Sequence, residues 1–391
     1  MADSLLDFIH TGPGALAGEY LRRFWQPVYR GADLRAGQAV PVRIMNEQFT
    51  LYRGEGGAPH AVAFRCAHRG TQLSTGWVEG ECIRCLYHGW RYDASGQCLE
   101  QPGEDESFAA KVHIRSYPTR EYLGLIFVYL GQTEPPPFRH YLDFERPGVL
   151  EVNPPEHWAC NYFNRIDNAP DPGHVAFTHR EAVTRATPAA HPNIFVPASE
   201  ETEYGTRTTT TLPNGQQTYL HFHMPNTNQL RSAIRFEGYV NQPSTIWVDL
   251  LFWRVPVDDD HCVSFVLNLI NLTGADAEDY RQRRQTAQQL QPALLNRLAG
   301  DVLAGRTTMK GIDPRSTTYD LFTIEDYVTQ VGQGAIPERS NEHLGRSDAG
   351  VILLRKIWQR ELQALAKGKP LKEWSAAELL SEMTPPTAAP A

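Results

Sequence analysis

Two cysteines and two histidines in one short stretch could hold a redox metal centre. In RCAHRGTQLSTGWVEGECIRCLYHGW, Cys66-x-His68 is followed, after sixteen intervening residues, by Cys85-x-x-His88. Two Cys–His pairs, each on its own loop, can hold two irons asymmetrically, with two thiolates on one iron and two imidazoles on the other. Neutral imidazoles in place of thiolates make a [2Fe–2S] cluster less negative and raise its reduction potential, so it accepts electrons readily from a flavin or ferredoxin donor. Two Cys and two His can also bind zinc tetrahedrally. The C-x-H spacing of the first pair is unlike that of zinc fingers, however. Small residues in Arg69-Gly70 and His88-Gly89-Trp90 would let backbone N–H groups approach bridging sulfides. Both features favour the cluster. Cys82 and Cys98 lie nearby but out of register, and read as packed thiols.

A cluster only moves electrons, so a second centre must use them. In NYFNRIDNAPDPGHVAFTHR, His174 and His179 fall close to one face of a slightly distorted helix, with Asp171 one turn before His174. Two imidazoles and one carboxylate form the facial set of non-haem iron(II) sites, which leaves positions for dioxygen beside a substrate. Taken alone, such a string is more often an ordinary surface or core helix; the upstream Cys–His pairs turn the reading toward a metal. The carboxylate must come from elsewhere. FTIEDYVTQVGQGAIPER offers Glu325 and Asp326 side by side, and the residues by themselves leave that choice open.

These groups must be carried by two kinds of structure. Residues 14–25 have a helical pattern, with Leu16, Tyr20 and Phe24 on one face. From residue 38 the pattern becomes short alternating strands, AVPVRIM, QFTLYR, AVAFRC, VHIRSYP and LGLIFVYL, some separated by glycine-bearing turns and ending near a Pro135–Pro137 linker. The later half differs. Residues 161–180 are helical in pattern but broken by Pro170 and Pro172. Strand candidates TRTTTTL, TYLHFHM, AIRFEGYV, TIWVDLLFWRV and CVSFVLNLINL follow, then polar helices over 277–305 and 351–367. The division predicted is an arm and helix over 1–37, a β domain over 38–145, an α+β domain over 146–372 and a disordered tail over 373–391.

The cysteine–histidine segment resembles the Rieske domain of ring-hydroxylating oxygenases. The later segment resembles the N-x-x-D-x-x-H-x-x-x-x-H element of the same family, matched by Asn168, Asp171, His174 and His179. Nearly the whole chain takes part. TGPGALAGEYLRRFWQPV is similar to the opening of the phthalate-dioxygenase and aryl-ether O-demethylase branch, and Glu325-Asp326 before QGAIPER is similar to its C-terminal signature. The resemblance implies an α+β chain: an all-β Rieske domain, then a helix-grip-like catalytic domain with an antiparallel sheet flanked by helices. It implies that Cys66 and Cys85 bind one iron of a [2Fe–2S] cluster and His68 and His88 the other. It also implies that His174, His179 and Asp326 bind a mononuclear Fe(II). Asp171, by the same resemblance, bridges His174 to His88 of a neighbouring chain in a head-to-tail homotrimer. Ala67 and Pro170 depart from the common pattern without removing a ligand, and Pro170 is expected to kink the ligand helix.

The implied activity is that of an oxygenase component. It would use O2, and electrons from NAD(P)H through a separate reductase or ferredoxin, to hydroxylate or O-demethylate a methoxylated or carboxylated aromatic. Cis-dihydroxylation of a ring competes with that reading, and an electron-transfer iron–sulfur protein is the rival from another class. No G-x-G-x-x-G follows a strand, so the nicotinamide is expected on another chain. Phe222, Phe236, Trp247, Phe252 and Trp253 could wall the pocket near Asn161 and Asn164, and Arg207, Arg231, Arg235 or Arg254 could clamp a carboxylate. Which of them do so stays open.

Bulk properties set the outer limits. The 391 residues suffice for two cores. A formal charge of −8 with no basic stripe argues against nucleic acid as a partner. Apolar runs are too short to span a membrane, residues 1–10 lack a secretory pattern, and six cysteines do not form a disulfide framework. A cytoplasmic, metal-bearing protein is the expectation.

Overall fold

Local alternation and glycine turns build the first half as small antiparallel sheets. The structure, a computed structural model, describes residues 7–186, 196–212, 215, 217–232, 246–286, 292–312 and 318–375. The expected strand over 233–240, with Arg235 and Phe236, lies outside the described residues, as does 376–391 of the expected tail. Two compact units emerge. One comprises His10–Phe138 and Val255–Asp258; the other holds the rest of the described residues. Residues 10–37, expected as a separate arm, thus pack within the first unit, and the division falls at 138/139 where 145/146 was expected.

In the first unit, strands Gln26–Arg30, Leu125–Val128 and Thr119–Tyr122 form one sheet, and Ala39–Ile44, Glu47–Arg53, Pro59–Ala63 and Ser116–Tyr117 form another. Trp77–Glu79, Cys82–Arg84, Arg91–Tyr92 and Cys98–Glu100 form a third. The expected helix over 14–25 is confined to Leu16–Leu21, because the chain straightens into a strand at Gln26. Tyr52, Val62, Leu73, Ile83, Trp90, Tyr92 and Ile114 make a closed core, and Cys66 and Cys85 are buried in it. That burial fixes both sulfurs while the loops carrying them reach outward.

The second unit is built on an eight-stranded sheet. Its order is Val149–Val152, Cys262–Ile270, Val248–Pro256, Thr227–Ser232, Gln217–His223, Gly205–Thr211 and Ala198–Glu201, with Glu156–Trp158 also pairing to Cys262–Ile270. Long hydrophobic strands with no polar alternation at the centre, such as CVSFVLNLI, are buried on both faces. Helices Tyr162–Asn168, Val175–Thr178, Arg180–Ala186 and Thr318–Val331 carry the histidine and carboxylate candidates. Helix Ala349–Ala366 packs on the far strands Ala198–Glu201 and Gly205–Thr211. At its start a Cβ on Gly350 would stand 2.4 Å from the Pro170 carbonyl oxygen, so only glycine permits this approach.

Proline decides the shape of the histidine segment. Asn161 caps helix Tyr162–Asn168 by accepting the Phe163 N–H at 3.0 Å, and the helix stops before Pro170. The expected kink is therefore a full break, since Pro170 and Pro172, on either side of Asp171, together remove two helical donors. Of the polar helix expected over 277–305, the described residues form Gly274–Thr286 and Pro292–Leu303, and 287–291 lie outside the described residues.

Candidate metal centres

The two cysteine loops have the same backbone hydrogen-bonding pattern. Cys66 accepts the Gly70 N–H at 3.0 Å and donates its own N–H to Thr71 at 2.8 Å; Cys85 accepts from Gly89 at 3.1 Å and donates to Trp90 at 2.8 Å. Gly70 and Gly89 close these loops with φ of 74° and 72°, a region that side chains disfavour. The loops bring the imidazoles of His68 and His88 to 4.4 Å between ring centroids, and His68 stacks on Trp90 at 4.6 Å. Below them, Cys66 and Cys85 are buried, with Cys85 close enough for its sulfur to act on the Cys66 thiol. Burial pushes the Cys66 thiol up, opposed by the Tyr92 hydroxyl and the His68 backbone. Two buried sulfurs beneath two outward imidazoles match the donor set of an asymmetric two-iron cluster, which would hold the thiols as thiolates. Cys98 is buried in the core and Cys82 half-buried, outside this arrangement.

In the second unit, His174 begins helix Val175–Thr178 and His179 ends it. One ligand atom from each of His174, His179 and Asp326 lies within 4.8 Å of the others. Asp326 Oδ1 stands 3.5 Å from His179 Nε2 and 4.0 Å from His174 Nε2. That oxygen is buried and has no hydrogen-bond partner. Three ligand atoms converge there, and among the described residues no protein group satisfies the carboxylate oxygen. A divalent cation would satisfy it, so the residues fit a mononuclear iron.

Orientation comes from the ring atoms that face away. His179 Nδ1 lies 3.1 Å from Glu325 Oε2, a buried carboxylate whose Oε1 accepts the Glu181 and Ala182 N–H groups, each at 3.0 Å. His174 Nδ1 lies 2.5 Å from the Asp171 carbonyl oxygen. With Nδ1 protonated in both rings, both Nε2 lone pairs face Asp326. Phe322 packs on the His179 ring at 4.4 Å. Burial would raise the Asp326 carboxyl, but Arg165, His179 and His174 outweigh it and hold it below its usual range. Arg165 Nη1 is 3.5 Å from Asp326 Oδ2 and is anchored to Gln330 at 2.6 Å.

Residues 24–118 match the family model of the Rieske [2Fe-2S] domain. The chain is 28% identical to the 5,5'-dehydrodivanillate O-demethylase oxygenase subunit of Sphingobium sp. (strain NBRC 103272 / SYK-6), across 93% of this chain and 80% of that one. It is 26% identical to the tert-butanol monooxygenase / tert-amyl alcohol desaturase oxygenase subunit of Aquincola tertiaricarbonis, across 95% and 79%. The chain thus carries a Rieske [2Fe-2S] domain and is similar over most of its length to Rieske oxygenase subunits. Its fold agrees: the solved structure of Pseudomonas putida CBB5 NdmA aligns with a TM-score of 0.65 at 23% identity, covering 90% of this chain and 94% of that one.

The geometry places the remaining candidate residues one by one. His174 Nδ1 meets Asp171 twice: the backbone carbonyl at 2.5 Å, and the carboxylate, whose Oδ2 stands 3.7 Å away while its Oδ1 accepts the Gly173 N–H at 2.7 Å. Asn168 contributes its backbone carbonyl, which accepts the Asp171 N–H at 3.3 Å. Asn161 and Asn164 are committed elsewhere, Asn161 to Ile9 and Asp259 and Asn164 to Gln330 and Gly334. Of the arginines, Arg207 is paired with Glu200 and Arg231 with Asp249. Trp253 faces Tyr141, on the sheet face opposite Phe252. The pattern had pointed to neither Arg165 nor the orienting role of Glu325, and among the polar neighbours Asn164, Asp167 and Asn168 nothing in residue type singled Arg165 out.

Among the described residues no helix is long and apolar enough to cross a membrane.

Proposed function

We propose that this chain is the oxygenase component that O-demethylates or hydroxylates a methoxylated or carboxylated aromatic, with electrons from a separate NAD(P)H-dependent reductase or ferredoxin. The observation that carries the reading is the orphaned Asp326 Oδ1 between two Nε2 atoms whose tautomers are already set. In this reading Cys66, Cys85, His68 and His88 hold the cluster, and His174, His179 and Asp326 hold the iron. When bound, the two centres supply single-electron transfer and dioxygen activation. The chain's own residues do the rest. Glu325 and the Asp171 carbonyl fix the Nδ1 side of each ring so that Nε2 turns inward, and Arg165 keeps Asp326 ionised. Asp171, on the loop before His174, carries electrons from His88 of a neighbouring chain in a head-to-tail trimer.

Similarity to the dehydrodivanillate O-demethylase subunit supports a methoxylated aromatic. The balance for demethylation is ArOCH3 + O2 + 2e⁻ + 2H⁺ → ArOH + HCHO + H2O, so formaldehyde is the diagnostic product. The test is to reduce the purified protein chemically and expose it to air with methoxylated and carboxylated aromatics and with tert-butanol. Formaldehyde with a phenol supports demethylation, and a hydroxylated acid without formaldehyde supports hydroxylation. A cis-diol moves the enzyme to ring dihydroxylation. Turnover of tert-butanol alone overturns the aromatic assignment.

A further inference from the structure

Glu325 and Asp326 bring four carboxylate oxygens to the histidine pair, and three of them already face a protein group. Glu325 spends Oε2 on His179 Nδ1 at 3.1 Å and Oε1 on the Glu181 and Ala182 N–H groups. Asp326 Oδ2 faces Arg165 Nη1 at 3.5 Å. Asp326 Oδ1 is buried without a hydrogen-bond partner, and it is the nearer of that residue's two oxygens to Nε2 of both His179 and His174, at 3.5 and 4.0 Å. The two oxygens of one aspartate thus point to different neighbours: a guanidinium on one side, two imidazole nitrogens on the other.

Arg165 is not free to release that oxygen. It lies on helix Tyr162–Asn168, is 2% exposed, and has Asp326 as its ion-pair partner among the described residues. Its Nη1 donates to Gln330 Oε1 at 2.6 Å, and its Cζ stands 3.6 Å from the centroid of the Trp158 ring. Trp158 is itself fixed. Strand Glu156–Trp158 pairs it with Cys262, and its ring stacks on Tyr327 at 5.2 Å. Tyr327 and Gln330 belong to helix Thr318–Val331, one residue and about one turn beyond Asp326. The helix that presents the aspartate therefore also fixes the guanidinium beside it, by a hydrogen bond from one side and through a cation–π contact from the other. Turning Oδ2 away from Arg165 would leave a buried guanidinium without its counterion, which a folded core resists.

A carboxylate can hold a metal through one oxygen or through both. Two imidazoles and a single oxygen leave an octahedral ion one position more than two imidazoles and a chelating carboxylate do. We infer that Arg165 is a positioning residue that confines Asp326 to one ligand oxygen, Oδ1, and so keeps a further coordination position open for an outside ligand. This rests on the oxygenase reading and deepens it. Arg165 acts through the aspartate alone, and what it sets is the number of oxygens the aspartate can offer.

The test keeps the cluster intact and places cobalt(II) in the mononuclear site, so that X-ray absorption at the cobalt edge reads that site alone. A chelating carboxylate brings its carbon closer to the metal than a one-oxygen carboxylate does, and that distance tells the two apart. The parent should show the one-oxygen distance. Arg165→Gln should show the chelating distance and bind cobalt about 10-fold more tightly, because a neighbouring cation is gone and a second oxygen is freed. Arg165→Lys keeps the charge and should return the one-oxygen distance. Should Arg165→Gln fail to fold, Gln330→Leu removes the anchor and leaves the charge, and a mixture of the two distances is expected. A parent that already chelates, or variants that keep the parent's distance, would overturn the inference. So would looser cobalt binding in Arg165→Gln with the distance unchanged, which is what a purely structural role would give. The underlying reading fails differently: Asp326→Ala would then bind cobalt as tightly as the parent, whatever the carboxylate distance.

Discussion

Glu325 accepts the Nδ1 proton of His179 at 3.1 Å, while Asp326, the next residue along the same helix, turns Oδ1 to within 3.5 Å of the other nitrogen of that ring. Successive helical residues point about 100° apart. One imidazole thus meets two carboxylates in different roles, one orienting it and one offering a ligand beside it. Glu325 does a second job, since its other oxygen accepts the first free N–H groups of helix Arg180–Ala186.

Exchanging Glu325 for glutamine should weaken iron binding without touching the cluster. The amide oxygen can keep the Glu181 and Ala182 N–H groups, which leaves an NH2 group to face His179 Nδ1. That NH2 is a donor, so the ring must move its own proton to Nε2, where the lone pair is needed. A loss of about 10- to 100-fold in iron affinity is expected. Iron titration of the stripped protein, with the cluster's visible absorption as internal control, reads it; unchanged affinity would show that Glu325 does not set the tautomer.

Asp326→Ala should remove the mononuclear iron and leave the cluster. Metal analysis is expected to fall from about three irons per chain to about two, with acid-labile sulfide unchanged. Arg165 then loses its carboxylate, and a buried guanidinium is left uncompensated, so the variant should also unfold at lower denaturant. Three retained irons would move the ligand assignment to Glu325.

What could be read in advance follows from how each feature is encoded. Cys66, His68, Cys85 and His88 are legible because metal chemistry needs those residue types at short spacing. The spacing of His174 and His179 likewise survives the breaking of their helix by Pro170. The choice between Glu325 and Asp326 was not written in residue type, since both are acids and adjacent; it depends on which side of one helix faces the histidines. Nor could residue type show that the Asp171 backbone takes the His174 proton, because that depends on dihedral angles around Pro172 and Gly173. Alternation did separate Phe252 from Trp253. It could not say that Arg231 is spent on Asp249, a pairing made across two strands.

Acid should destabilise the second unit through its buried histidines. Burial brings His221 down to about 4, with the Arg207 charge adding to it, and burial drives His223 well below its ordinary value. Both are neutral in the fold, His221 facing the Tyr204 hydroxyl at 2.7 Å. Unfolded, each titrates near 6.5, so below that pH the unfolded chain binds more protons and stability falls as pH drops. For His221 the loss between pH 6.5 and about 4 is on the order of 3 kcal/mol. Urea unfolding across that range should show a slope reduced by about one proton in His221→Gln. Parallel slopes in variant and parent would assign the acid sensitivity elsewhere.

The last prediction concerns Tyr92, whose hydroxyl oxygen lies 3.2 Å from Cys66 Sγ and 3.2 Å from the Ala67 nitrogen. The Ala67 N–H can only donate, so the hydroxyl oxygen accepts from it. A metal-bound Cys66 would be a thiolate with no proton to give, and the hydroxyl must then donate to sulfur. Such a bond strengthens as negative charge grows, so it favours the reduced cluster over the oxidised one. Tyr92→Phe deletes it with little change of volume in a site where the ring is fully buried. A bond stronger by about 1 kcal/mol in the reduced state than in the oxidised one corresponds, for one electron, to a fall in potential of roughly 40 mV on its loss. Spectroelectrochemical titration of the variant reads this directly. A potential within error of the parent would mean that the hydroxyl does not donate to the sulfur, and that Tyr92 serves the core and the Ala67 N–H alone.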